Sequence, residues 1–485
     1  MKIFLTILYS TLSAILFAQQ ISYSLPEKFS YRDDDIEILG KHADTYFLHY
    51  REGKDDKISA YYPNLGLKWN KYVNLKSKKW EVEQFLLNNG NLLMFSTEKT
   101  KSGKMLYGRV YDHHFDTITT MLALDTIKKN FAESYSVLKY LESEDKSKIL
   151  VYFIDENLGK YDEFHFLLLD KHLNIITKKT ISIPLTNKNV DIYDVLLANT
   201  GQIYLVLSEY KTLGLSSALR YWLLSSTANF DQLDKVELKP DDGKYLNNVL
   251  FKIDNRNGNI VSAGFYADDA IHSANAEGIF YNVFNMSNPS ESFIRFEAFT
   301  PEFIARVTGN RKVRTNDRLY TFVIDDIILR QDGGALIIAE SFYKTLRNSA
   351  DLFDPYNYNA VNDINITYHY EDLLVVSVTP QGEIHWKNVL PKNQTSIGDL
   401  GRYASYIKVN TGTSIEFIYN DEVDFRTNVI QYSVEPDGES NRQLILNSYK
   451  NDVYLMPQWG KQVDYNEIII PSLRRKDLRL VKLSY

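Results

Sequence analysis

Apolar runs along this chain occur in pairs separated by short polar turns, and the pairs recur roughly every 40 to 60 residues. Clear examples are Val82–Lys99, Asp194–Tyr210, Asp326–Tyr343 and Tyr406–Glu422, in which glycine or asparagine marks the turn. Two apolar runs joined by such a turn are typical of a β-hairpin. The pattern therefore predicts an all-β protein built from repeated hairpins.

A second hairpin follows the first in each full repeat, as in Leu167–Pro184, Leu373–Lys392 and Val429–Leu446. Two hairpins give a four-stranded sheet, which has two apolar faces and cannot bury both of them alone. Seven full repeats are predicted at Ile36–Leu75, Trp80–Asp125, Ser134–Pro184, Asp191–Pro240, Tyr245–Thr300, Thr321–Lys392 and Gly401–Lys450.

An eighth repeat begins at Val453, but only three strands are predicted before Tyr485: VYLMPQW, EIIIPSL and LRLVKLSY. The segment Ile21–Phe29 precedes the first full repeat and has the pattern of a fourth strand. We expect it to pair with the last repeat. That pairing would join both ends of the chain in one sheet and remove an exposed edge.

The number of strands and the spacing of turns resemble the β-propeller superfamily over nearly all of the mature chain. The resemblance implies an eight-bladed propeller closed by the N-terminal strand, or seven blades if a weak terminal repeat has been misassigned. The repeats lack the WD40 signature, a kelch double glycine in every blade and the Asp box of sialidases, so no subfamily is indicated. A β-solenoid is the structural rival, but its repeats are shorter, about 20 to 30 residues.

The segment Met1–Ala18 contains one lysine, an apolar stretch and a small residue at its end, which predicts a cleaved signal peptide. A membrane anchor is the alternative, although the stretch is short and contains several Ser and Thr residues. We therefore expect one propeller domain over residues 19–485, exported to the periplasm, the outer membrane or the exterior. Membrane association would then occur only through a partner.

Composition removes several classes of function. The chain has no cysteine, which excludes disulfides, thiolate metal ligands and cysteine nucleophiles. Its net charge of −7 gives no general attraction to nucleic acid or to anionic lipid. The G-x-S-x-G motif of serine hydrolases and the H-E-x-x-H motif of zinc enzymes are absent from the sequence. No catalytic residue, metal site or cofactor is predicted, so an enzyme is the less favoured class.

Loop lengths predict where recognition takes place. In a propeller, the loops between second and third strands and the linkers between blades emerge on one face. Four of these segments are long: Lys211–Arg220, Asp268–Gly278, the linker Pro301–Leu319, and above all Lys344–Asn365. Because they belong to adjacent repeats, we expect them to form one elaborated surface.

The longest insertion combines aromatic rings with carboxylates and amides, and the linker carries a short basic run. The predicted binding residues are Asp351, Phe353, Asp354, Tyr356, Tyr358 and Asp363 of the insertion, with Arg311, Lys312 and Arg314 of the linker. Such side chains suit a sugar or a protein partner. Packing of the insertion on its own blades and solvation of the basic run are the structural alternatives. Calcium is disfavoured because the spacing does not match an EF-hand loop.

Three functions are compatible with this sequence. The leading hypothesis is a non-enzymatic binding or scaffold module for an envelope protein or glycan. A carbohydrate-active enzyme, with paired carboxylates at the central channel, is the second. A structural component of an outer-membrane or secretion complex is the third.

Overall fold

The computed structural model describes most of residues 19–485. The described residues are 19–30, 34–75, 77–128, 137–157, 161–184, 190–210, 217–226, 233–238, 240, 244–268, 275–309, 319, 322–346, 352–353 and 366–485. They fall into two units, of which the first comprises residues 1–73, 402–436 and 441–485 and the second comprises residues 74–401 and 437–440. The prediction of a single domain over residues 19–485 remains a prediction.

The second unit holds blades two to six. Blades two, three and six are separate antiparallel sheets of four to six strands, whereas blades four and five are joined into one eight-stranded sheet. Blade two contains β7 Trp80–Asn88, β8 Asn91–Lys99, β9 Gly103–Tyr111 and β10 Leu122–Lys128. Blade three contains β11 Lys139–Glu142, β12 Lys148–Asn157, β13 Tyr161–Asp170 and β14 Ile175–Pro184. Blade four contains β15 Val190–Leu197, β16 Ile203–Tyr210, β17 Ser217–Ser226 and β18 Leu233–Leu238. Blade five contains β19 Tyr245–Asp254, β20 Asn259–Ala267, β21 Gly278–Phe284 and β22 Phe293–Ala298. Blade six contains β23 Phe322–Leu329, β24 Ala335–Leu346, β25 Leu352–Phe353, β26 Ile366–Val378, β27 Ile384–Leu390 and β28 Gln394–Ile397.

The first unit holds the remaining three blades. Blade one contains β3 Asp34–His42, β4 Thr45–Glu52, β5 Asp55–Tyr61 and β6 Leu67–Tyr72. Blade seven contains β29 Ile407–Asn410, β30 Ile415–Asn420, β31 Asn428–Val434 and β32 Ser440–Asn447. Blade eight contains β33 Lys461–Asp464, β34 Glu467–Arg474 and β35 Asp477–Ser484, completed by β1 Gln20–Tyr23 and β2 Glu27–Lys28. The eight blades confirm the predicted all-β propeller.

Apolar contacts between successive sheets form the cores within each unit. Phe95 of blade two and Val151 of blade three belong to one buried cluster, while Phe265 of blade five and Ile337 of blade six belong to another. Second strands such as β8 and β20 are almost continuously buried, whereas the fourth strands β6 and β10 alternate or stay exposed. The long apolar runs in the sequence thus correspond to strands that are covered on both faces.

Closure of blade eight by the N-terminal strand is confirmed. Strand β1 pairs with β35 in antiparallel register, from Gln20 opposite Ser484 to Tyr23 opposite Val481. The pairing extends through Ser24, which exchanges hydrogen bonds with Leu480. The last sheet is therefore built from both ends of the chain.

The prediction of the first strand of blade eight was wrong. The segment Val453–Trp459 makes only an isolated bridge at Leu455 and then a 3₁₀ turn, Pro457–Trp459. Proline at the start of that turn has no N–H to donate to a ladder. Strand β33, Lys461–Asp464, is the first strand instead. The apolar signal was misleading because Val453 and Leu455 are buried as core residues between strands.

Two short helices, α1 Pro301–Thr308 and α2 Ser448–Asn451, lie in linkers between blades. Helix α1 begins at Thr300, whose side chain accepts a hydrogen bond from the Phe303 N–H, and it ends at Gly309 in the left-handed conformation. Its Phe303 and Ile304 are buried. The long linker after blade five therefore starts as a packed helix. Among the described residues, none of the helices has the length and apolarity to cross a membrane.

An ion network joins blades one and eight within the first unit. Lys41 Nζ lies 2.7 Å from Asp464 Oδ2 and 2.8 Å from Glu467 Oε2, and the Tyr46 hydroxyl donates to Glu467 at 2.8 Å. Burial alone would raise the pKa of Glu467, but the hydrogen bonds from Lys41 and Tyr46, with the nearby Lys482 charge, hold it below its ordinary value. The carboxylate thus stabilises the folded state in its ionised form.

We expect Glu467→Gln to lower the free energy of unfolding near pH 7 by about 1 to 3 kcal/mol, because charge-assisted hydrogen bonds are lost. A carboxyl group with a lowered folded pKa contributes stability above its unfolded pKa and loses it as the pH falls through the folded value. The difference between wild type and variant should therefore shrink toward about pH 3. Urea unfolding of the wild type and the variant near pH 7 and near pH 3 measures this difference in free energy. A difference that is the same at both pH values would contradict a stabilising role of the ionised carboxylate.

Candidate binding site

Blade six continues beyond the four-stranded plan at the end where the longest insertion leaves the sheet. Strands β24 and β26 have 12 and 13 residues, and each carries an additional partner. Strand β25 pairs with β24, and β28 pairs with β26. We call this region the blade-six extension and define it as residues 341–346, 352–353, 366–372 and 394–400. Hydrogen-bonded strands of this extension therefore lie on both sides of the insertion in the chain.

A buried ion pair lies at the base of the blade-six extension. The side chain of Lys392 has no exposed surface, and its Nζ lies 2.7 Å from Glu340 Oε1. The same Nζ donates to Gln394 Oε1 at 3.0 Å and lies 5.9 Å from the centre of the Tyr370 ring. The backbone N–H of Lys392 donates to Asp372 at 3.0 Å. Strands β24, β26 and β28 are thus linked through one lysine.

Burial and the neighbouring carboxylates have opposite effects on the pKa of Lys392. Burial lowers the pKa of Lys392, and the charge of Glu340 opposes that shift, as do Asp325 and Asp372. Burial raises the pKa of Asp372. A buried charge is tolerated only when it is paired and hydrogen-bonded, which is the case here. The ion pair fixes the geometry of the extension.

The more accessible face of the blade-six extension carries a flat pair of rings. Tyr343 and His369 lie opposite each other on β24 and β26, and their rings stack with centroids 4.4 Å apart at an interplanar angle of 9°. The Tyr343 hydroxyl donates to Glu371 at 2.9 Å, and His369 Nε2 lies 3.0 Å from Thr345 Oγ1. The contacts with Glu371 and Thr345 therefore fix the orientation of the two rings in addition to their stacking.

The ring pair is uncharged near neutral pH. Burial raises the pKa of Tyr343 to about 12, assisted by Glu371. Burial also lowers the pKa of His369 below its ordinary value of 6.5, against a smaller opposing effect of Glu371. Ile397 and Leu400, at the outer margin, are 52% and 51% exposed. Neutral rings beside exposed aliphatic side chains form a surface suited to contact with another molecule.

Only one of the sequence-predicted binding residues falls on a described element. The backbone of Phe353 forms part of β25 and pairs with Lys344. The remaining residues lie outside the described residues: Asp351, Asp354, Tyr356, Tyr358, Asp363, Arg311, Lys312 and Arg314. Their role in binding stays a prediction. Sequence reasoning missed Glu340 and Lys392, although a glutamate inside the apolar run of β24 is a signal that could have indicated a buried partner.

A second cluster of arginines and aromatic rings lies in the first unit, at the second-to-third loops of blades seven and eight. The Arg474 guanidinium lies 5.7 Å from the Phe425 ring centre and 5.5 Å from that of Tyr449. It also pairs with Asp452, which Arg479 approaches to 3.2 Å. A cleft of about 170 Å³ adjoins these charges. The side chain of Arg474 is 20% exposed.

Carboxylates also line a cavity of about 170 Å³ between blades five and six. Glu297 belongs to the fourth strand β22, and Glu383 belongs to the turn before β27. The enzyme hypothesis expects paired carboxylates on first strands, at the channel. Glu297 is moreover engaged by Lys387, at 3.2 Å. This cavity therefore gives the enzyme hypothesis no direct support.

No protein-family model matches the chain, and no curated protein matches it. Solved structures that resemble it include a mutant of the Synechocystis apocarotenoid oxygenase, with 9% identity, 94% of this chain and 87% of the other covered, and a TM-score of 0.33. An exo-β-1,3-galactanase from Phanerochaete chrysosporium has 9% identity, coverage of 92% and 91%, and a TM-score of 0.24. The endo-arabinase from Bacteroides thetaiotaomicron has 13% identity, coverage of 57% and 97%, and a TM-score of 0.23.

These likenesses are too weak to transfer a substrate or an activity. The assignment depends on the chain itself, through its eight antiparallel blades and the N-terminal strand in the last of them. The described strands have the fold of a β-propeller, and no family is assigned to the chain.

Proposed function

We propose that the protein is an exported binding module that holds a protein of the cell envelope at the blade-six extension. The observation that carries this proposal is the neutral Tyr343–His369 pair on a base fixed by the buried Lys392–Glu340 ion pair. Rigid aromatic groups provide contact area with little loss of conformational entropy, and such groups dominate binding energies at protein interfaces. The predicted export signal supports the envelope as the location.

A protein is favoured over a glycan as the ligand because the ring pair adjoins aliphatic surface. Ile397 lies opposite Thr367 in the register of β28 with β26, two residues along the strand from His369. Sugar sites need many hydrogen-bonding groups around a ring, whereas Ile397 and Leu400 offer none. Tyr356 and Tyr358 of the insertion between β25 and β26 stay predicted binding residues.

Two variants test the proposed binding. Tyr343→Ala should weaken capture of a stoichiometric partner from solubilised envelope by tenfold or more, which is typical of an interface anchor. Deletion of residues 350–363 should abolish capture while the thermal transition stays nearly unchanged. The measurement is affinity capture by the mature chain, followed by titration of the identified partner.

Tyr465→Ala is the matched control, because Tyr465 is 72% exposed and lies in the first-to-second turn of blade eight. It should leave capture intact. Equal capture by the wild type, Tyr343→Ala and the deletion variant would refute the assigned site. Binding in a parallel glycan screen without any protein partner would refute the choice of ligand and favour the carbohydrate-active alternative.

A further inference from the structure

We propose that Asp155, Glu163 and His165 of blade three form a site for a divalent transition metal of the zinc class. Asp155 is on β12, and the other two residues are on β13. In the antiparallel register, Asp155 lies opposite Glu163, and Phe153 lies opposite His165. Residues two apart on a strand share a face of the sheet, so the three side chains converge on one face. One ligand atom from each lies within 4.8 Å of the others.

Asp155 and Glu163 lie directly opposite each other on β12 and β13, and two carboxylates in this arrangement favour a bound cation. Like charges directly opposite each other destabilise an antiparallel pair. Lys178, on the adjacent strand β14, is not the compensating group in the described structure, because it pairs with Asp125 of blade two. A bound cation would neutralise Asp155 and Glu163 together.

His165 is oriented toward the carboxylates by two contacts. Its ring stacks on Phe153 with centroids 4.4 Å apart at 11°, and its Nδ1 lies 2.8 Å from Thr180 Oγ1. Its Nε2 is buried without hydrogen-bond geometry to a partner and lies 3.3 Å from Glu163 Oε2. When Nδ1–H donates to the threonine hydroxyl, the Nε2 lone pair faces the carboxylates. Metal-binding histidines are commonly held in this manner by a group on the opposite nitrogen.

The ligand set defines the class of ion. One imidazole and two carboxylates are ligands that zinc accepts, with a fourth position left for water. Calcium and magnesium prefer oxygen ligands alone. The side chains of Glu163 and His165 are 31% and 23% exposed, so an ion can enter from solvent and keep a water ligand. This site is independent of the binding proposed at the blade-six extension.

Titration of the chelator-treated mature chain with zinc chloride, followed by calorimetry, tests the site. We expect one zinc ion per chain, with affinity lowered at least tenfold by His165→Gln or by Glu163→Gln. Thr180→Val should weaken binding by about 10- to 100-fold, because it removes the orientation of the ring while keeping all three ligands. Zinc should also raise the melting temperature of the wild type but not that of His165→Gln.

His114→Gln is the control, since His113 and His114 have ring centroids 4.0 Å apart and are another place where zinc could bind. It should leave the stoichiometry and affinity unchanged. Melting of each variant in chelator separates loss of a ligand from loss of the fold. Absence of zinc binding by the wild type, or equal binding by the wild type and a folded His165→Gln variant, would overturn the proposal.

Discussion

Removal of residues 19–30 should destabilise the first unit by more than about 5 kcal/mol and leave it unfolded or aggregated at ordinary temperature. The segment supplies the outer strand of blade eight, pairing along Val481–Ser484, and Phe29 is only 4% exposed. Its Glu27 accepts a hydrogen bond from Tyr61 at 3.0 Å and lies 3.8 Å from the buried Lys57. Deletion would expose the edge of β35 and remove one partner of a buried charge.

Point variants separate the contribution of packing from that of strand pairing. Phe29→Ala should cost about 3 to 5 kcal/mol, because it leaves a cavity in the core of blades one and eight. Leu25→Ala is the matched control in the same segment, since Leu25 is 83% exposed. It should change stability by less than about 0.5 kcal/mol. Denaturant unfolding followed by circular dichroism measures each variant, and a deletion variant that unfolds at the wild-type midpoint would contradict the closure argument.

Lys392→Met should lower the free energy of unfolding by about 3 to 5 kcal/mol, because it leaves Glu340 buried without its cationic partner. Glu340→Met should have an effect of similar size, since it leaves the lysine uncompensated. The ion pair joins the strands that carry Tyr343 and His369. We therefore also expect partner binding to weaken in both single variants.

The double variant Glu340→Met with Lys392→Met distinguishes a geometric role from an electrostatic one. Replacement of a buried ion pair by apolar side chains of similar volume is often neutral or stabilising. The double variant should therefore recover most of the stability lost by either single variant. Additive losses in the double variant would show that packing, rather than charge compensation, accounts for the effect.

Repeats in the sequence predicted the eight blades because each second strand is covered on both faces and needs a continuous apolar run. The same rule misled at Val453–Trp459, where burial comes from packing between strands and not from a ladder. A strand that is covered on both faces and a buried irregular segment both require apolar side chains, so their sequence patterns look alike. Proline at position 457 was the available signal against a strand.

The candidate site was only partly accessible to sequence reasoning. Loop length directed attention to the insertion of blade six, and the structure shows long strands, β24 and β26, on either side of it. The stacked Tyr343 and His369 and the ion pair of Lys392 with Glu340 are separated by 26 and 52 positions along the chain. Their proximity depends on the registers of β24, β26 and β28, which the sequence pattern does not specify.

By itself, the sequence determined the all-β class, the repeated four-stranded plan and the partner of the N-terminal strand, because these follow from the period of apolar runs and from the count of strands at each end. It left eight or seven blades open, and the structure has eight. Tertiary structure alone decided which charged side chains meet. Asp155, Glu163 and His165 converge because a register between neighbouring strands brings them to one face. A shift of one residue would send those side chains to opposite faces while leaving the apolar period of the sequence unchanged.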